Sequence, residues 1–142
     1  MSDVVVDSSV VAKWILPEAD SGIAHSFLNG IVGAGGKVIV VDMAFPEVAN
    51  AIWKRYRQRL LSMDESRACL AMLAGLPVHV EPAVRLLSAA FEIAARYDRA
   101  VYDALFVALA QDFDLAGVTA DEPLVNATKL DFPRVKLLRD WP

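Results

Sequence analysis

The chain has 142 residues, 56% of them hydrophobic, with a formal net charge of −4. That length fits a single domain over residues 1–142 with one substantial core, and the acidic balance argues against a general nucleic-acid binder held by a broad basic surface. No run approaches the ~18 uninterrupted apolar residues of a membrane helix, Met1-Ser2-Asp3 is acidic, and Cys69 has no partner in the chain, so a membrane or disulfide-stapled protein is excluded and a cytoplasmic one is expected.

In chain order, Val4-Val5-Val6 is a continuous apolar run that ends in Asp7-Ser8-Ser9. A strand without in-and-out alternation suits a parallel sheet covered on both faces, and in such sheets ligands bind beyond the carboxyl ends of the strands. Ser8 or Ser9 can cap the amphipathic turn Val10 to Leu16, and after the break at Pro17 to Ser21 a helix follows from Gly22 to about Ile31. Lys37 to Val41 is a second apolar run, ended by Asp42, so pattern alone makes Asp42 a rival to Asp7. Pro46, with Glu47 beside it, opens a long helix through roughly Leu60, and Ser62-Met63-Asp64-Glu65 is a capping box for a helix ending near Gly75.

Pro77 to Val80 reads as a short strand, and Pro82 starts a helix with Val84, Leu87, Phe91 and Ala94 or Ala95 at helical spacing. Tyr97-Asp98-Arg99 interrupts it, Tyr102 to Asp112 is a further helix, Leu115 to Thr119 a strand, Pro123 to Thr128 a brief helix and Val135 to Leu138 a last strand. Strands alternating with helices predict an α/β fold, a central mainly parallel sheet of about five short strands with helices on both faces.

Four acids stand out. The helix from Tyr102 is apolar on nearly every side except at Asp103, and Glu47 lies in the first turn of a helix with an apolar face. Asp121 and Asp7 each follow a strand, and the parallel arrangement can bring all four to one rim of the sheet. Each also has a plain structural account: a helix cap, a strand-end turn or an anion at a helix dipole. Carboxylates that share a pocket need a cation among them, and oxygen ligands without Cys or His select Mg²⁺ or Mn²⁺, ions able to activate water for attack on a phosphate.

These acids in their local words resemble the PIN-domain ribonucleases, most closely the VapC-like toxins of bacterial toxin-antitoxin pairs. The carriers are Val5-Val6-Asp7-Ser8-Ser9, Pro46-Glu47-Val48-Ala49-Asn50-Ala51, Tyr102 to Ala110 and Thr119-Ala120-Asp121-Glu122-Pro123-Leu124, and the likeness spans essentially the whole chain. It implies a PIN-like three-layer sandwich, metal coordination by Asp7, Glu47, Asp103 and Asp121, and supporting roles for Ser9, Asn50 and Thr119. It further implies an RNA substrate, a homodimer and a small antitoxin that covers the site, with Trp14, Ile15 and Trp53 expected to line the groove or the core beside it. Asp42 has no counterpart in the family pattern and reads as a turn residue. One departure is Asp98-Arg99-Ala100-Val101, where family members often carry a loop with Thr or Ser.

Lys54, seven residues after Glu47, falls on nearly the same helical face about 10.5 Å along the axis, and could reach a phosphate beyond the scissile one. A solvated helix end, with cations complementing the dipole, is the simpler explanation of the run Lys54 to Arg59. Three other readings stay open: an aspartyl-phosphate phosphotransferase, which usually has an acid where Ser9 stands; a metal-dependent adhesion module, whose motif Val11 spoils; and a catalytically inactive interaction domain of the same fold.

Overall fold

The computed structural model of the chain describes residues 2–141. Five strands, β1 (Val4–Val6), β2 (Val38–Val41), β3 (His79–Glu81), β4 (Gly117–Thr119) and β5 (Val135–Leu137), form one sheet in the order β3-β2-β1-β4-β5. Every neighbouring pair is parallel. The continuous apolar runs have the cause expected of them: helices cover both faces. Val4, Val6, Val38, Val40 and Val118 pack with α1 (Ser8–Ile15), α2 (Ser21–Gly33), α3 (Ala44–Arg57) and, through Leu73, α4 (Met63–Ala74). Val5, Ile39, Val41 and Val135 pack with α5 (Leu87–Tyr97), α6 (Val101–Phe113) and, through Leu124, α7 (Glu122–Thr128). This is the three-layer sandwich. Among the described residues no helix is long and apolar enough to cross a membrane.

Ala104 to Ala110 of α6 are all buried, which accounts for a helix apolar around its circumference. It lies so close to the sheet that a Cβ added to Gly117 would come within 2.8 Å of Phe106 Cζ. The chain therefore needs glycine there to seat the helix that carries Asp103.

Two elements differ from the pattern. α3 begins at Ala44 rather than Pro46 and ends at Arg57 rather than Leu60. Pro46 is tolerated inside the first turn because that amide would lack a helical acceptor anyway, the first such bond being Glu47 N–H to Met43 O. The early stop comes from Arg59, whose φ of 61° is incompatible with a continued helix. The helix after Pro82 opens as a 3₁₀ turn over Ala83–Leu86, and Val84, Leu87 and Phe91 point outward, 74%, 46% and 67% exposed. Ala94 is buried as expected, but the rest of the buried stripe is Ala83, Leu86, Ala90 and Ile93, in which the alanines leave α6 room to pack closely. Asp42 is a turn residue, its Oδ1 accepting from Ala83 N–H at 3.0 Å to start that 3₁₀ turn.

Candidate active site

β1 delivers Asp7 to the carboxyl edge of the sheet. Its amide still belongs to the ladder, donating to Val118 O at 3.0 Å, while its side chain turns to cap α1. Oδ1 accepts from Ser8 N–H at 2.9 Å, and Oδ2 accepts from the hydroxyls of Ser9 and Thr119, both at 2.8 Å. Each hydroxyl is in turn fixed by the loop after β4: Ala120 N–H donates to Ser9 Oγ at 3.0 Å and Asp121 N–H to Thr119 Oγ1 at 3.1 Å. With one proton per hydroxyl already given to Asp7, both oxygens are free to accept those amides.

Glu47 enters from α3, half-buried, with Oε2 at 3.5 Å from Ser8 Oγ. Asp103 stands in the first turn of α6, and Asp121 caps α7, its Oδ1 accepting from Leu124 N–H at 3.1 Å. Both turn their Oδ2 atoms to the same Arg99 Nη2, 3.4 Å from each. Asp7, Ser8 and Glu47 line a small recess walled by Met43, Leu105, Phe106 and the exposed Tyr102. A broader groove lined by Lys129, Leu130, Arg134 and Lys136 runs along β5 and holds none of the four acids.

The acids act on one another. Burial pushes the Asp7 carboxyl up from its ordinary range, and Asp103 adds repulsion, against the opposing hydrogen bonds from Thr119, Ser9 and Ser8. Glu47 is raised by burial and then by Asp7 and Asp103. Asp103 is raised by burial and by Asp121, with Arg99 pulling the other way. Each of these three carboxyls thus feels at least one other acid, the behaviour of a centre with more negative charge than it can solvate.

As the side chains stand, no three acids, imidazoles or thiols among the described residues are gathered closely enough to hold one ion. Asp7 is turned to its hydroxyls, and Asp103 and Asp121 to Arg99. The chemistry of the donors nevertheless fits a hard divalent cation: carboxylate oxygens only, partly solvated, with protonation favoured by mutual repulsion.

The structure brings Ser9 and Thr119 into direct hydrogen bonds with Asp7. Asn50 is exposed on α3, and among the described residues no hydrogen bond joins it to any of the four acids. Lys54 is exposed two turns along α3 from Glu47, while Arg55 donates to Pro17 O and Arg57 lies over the Trp53 ring. Trp14 and Ile15 are core residues, the Trp14 indole donating to Ala24 O at 2.8 Å, whereas Trp53 is 50% exposed. Two residues at the site escaped the sequence reading. Ser8 looked like a cap only, and Arg99 looked like part of an interruption between helices, although a cation four residues before Asp103 was the available signal.

A family model described as PIN domain matches residues 4–130, a span that includes all four acids. Ribonuclease VapC3 of Pyrobaculum aerophilum is 35% identical over 126 residues, 86% of this chain and 92% of that protein. Among solved structures, a protein from Pyrobaculum aerophilum superposes with a TM-score of 0.70 at 20% identity, over 90% of this chain and 81% of the other. A toxin-antitoxin complex from Klebsiella pneumoniae superposes with a TM-score of 0.64 at 14% identity, over 96% and 98%.

Proposed function

The chain belongs to the PIN domain family, and from that membership we propose that it is a divalent-metal-dependent endoribonuclease, the toxin of a toxin-antitoxin pair. The observation that carries the reading is the approach of Asp7, Glu47 and Asp103 from three separate elements, each carboxyl raised first by burial and further by another acid, with Asp121 sharing Arg99 with Asp103. RNA as substrate follows the name of the curated relative. A small antitoxin as partner follows the Klebsiella complex. A homodimer is part of the same proposal, in keeping with the exposed apolar residues Val84, Leu87 and Phe91.

Asp7, Glu47, Asp103 and Asp121 would hold Mg²⁺ or Mn²⁺. When bound, such an ion supplies positive charge to the phosphate oxygens and lowers the pKa of a water. The chain's own part is positional. Ser9 and Thr119 hold the Asp7 carboxylate in one orientation and favour its ionised form, and Ser8 does the same for Glu47 more weakly.

The test is cleavage of single-stranded RNA with Mg²⁺ or Mn²⁺ and with a chelator, beside Asp103→Asn. Asparagine nearly preserves shape and removes an anionic ligand. Cleavage should fall at least about a hundredfold with folding intact, since metal charge stabilisation is worth several kcal/mol. Cleavage indifferent to both the chelator and the substitution would refute the reading.

A further inference from the structure

Arg99 is held in an unusual way. The neighbouring Arg85 shows what a locked arginine looks like in this protein, with contacts of 2.7 Å to Asp112 and 2.8 Å to Glu81. Arg99 instead reaches Asp103 and Asp121 through one Nη2 at 3.4 Å each, and its Nε is buried with no hydrogen-bond partner among the described residues. A guanidinium cannot shed its proton, so this is a permanent charge with an unsatisfied donor, placed between two acids that need a cation. Its backbone is anchored: Asp98 before it is left-handed at φ 54°, and Arg99 N–H donates to Ala94 O at 3.1 Å. The side chain can turn, but it cannot leave the rim of the site.

We propose that Arg99 exchanges partners when the site is loaded. It holds Asp103 and Asp121 until it gives them up to a divalent cation, and it then presents its Nε–H and Nη–H edge to a phosphate of the bound strand. A small doubly charged ion in contact with the oxygens outcompetes a guanidinium 3.4 Å away. The Nε–H/Nη–H fork matches two phosphate oxygens, which provides the acceptor that Nε lacks. This rests on the metal-dependent nuclease reading and adds a substrate-binding residue to it.

Two measurements test the exchange. In calorimetric Mn²⁺ titrations of the protein alone, Arg99→Gln should bind the ion about tenfold tighter than wild type, the order expected for removing a partly screened charge beside the ligands. Arg99→Lys, which keeps a charge, should stay near wild type. Equal affinity in wild type and Arg99→Gln overturns the exchange. In binding of a single-stranded RNA oligonucleotide with Ca²⁺ present, Arg99→Gln should lower the slope of log K against log salt by about 0.7, one phosphate's worth. An unchanged slope overturns the phosphate contact. If neither wild type nor Arg99→Gln binds Mn²⁺, the nuclease reading itself fails and the exchange falls with it.

Discussion

Thr119 Oγ1 donates to Asp7 Oδ2 at 2.8 Å, joining two residues 112 positions apart in the chain. The threonine is fully buried and its hydroxyl also accepts Asp121 N–H, so one oxygen orders two of the four acids. Thr119→Val keeps the shape and deletes the hydroxyl, leaving an amide and a carboxylate short of a partner. Chemical denaturation should show a loss of about 1–3 kcal/mol. Mn²⁺ binding should weaken as well, because Asp7 loses a donor that favours its charged form. Thr119→Ser should retain both, and a valine variant as stable and as metal-avid as wild type would remove the hydroxyl from this account.

The raised carboxyls make metal-free stability depend on pH with a definite sign. Asp7, Glu47 and Asp103 all titrate above their unfolded values, so the folded chain binds more protons than the unfolded one across that window. Stability should therefore decline as pH rises from about 4, where unfolded carboxyls titrate, through the raised folded values, and then level off. Glu65 and Glu81 are shifted down and act in the opposite sense, so the comparison is between wild type and Asp103→Asn in chelator. Wild type should lose more thermal stability between pH 5 and pH 8 than the variant, and Mg²⁺ should restore it. Parallel melting curves would show that the Asp103 carboxyl is not raised on folding.

Gly117→Ala tests the seat of α6. The new Cβ would meet Phe106 Cζ at 2.8 Å, and Phe106 is too buried to swing aside. Overpacking of this kind costs about 1–3 kcal/mol. The same shift moves Asp103, three residues earlier on α6, so cleavage should fall further than stability alone explains. Adding Phe106→Leu should recover much of the melting temperature; an alanine variant that melts with wild type would mean that the helix has room to spare.

Lys54 is tested by the salt dependence of RNA binding. Arg55 is held by Pro17 O and Arg57 lies over Trp53, while Lys54 is exposed two turns along α3 from Glu47. Lys54→Ala should lower the salt slope by about 0.7 and leave metal affinity alone. Identical slopes return the run to a solvated helix end.

What the sequence made legible was whatever depends on chain direction and local rules. Parallel strands put Asp7 and Asp121 at one edge, and an apolar helix with one acid singled out Asp103. Choices between faces were not legible. The 3₁₀ turn and α5 together carry two apolar stripes, and spacing alone favoured Val84, Leu87 and Phe91, while the core took Ala83, Leu86, Ala90, Ile93 and Ala94. Arg99 escaped because its partners come from α6 and the start of α7, a juxtaposition set by the fold rather than by spacing.

The position of β1 in the sheet governs when in the life of the molecule a working centre can exist. β1, which is made before the other four strands of this sheet, lies between β2 and β4, and Asp7 takes its amide acceptor and a side-chain donor from Val118 and Thr119. Until β4 has been translated, β1 has only half its ladder, and Asp103 and Asp121 have not both been delivered to it. Nascent chains and fragments stopped short of residue 119 therefore carry acids without a site. Such distant pairing makes assembly of the rim a late, slow event, so the four acids can meet only after the chain has been made as far as Asp121.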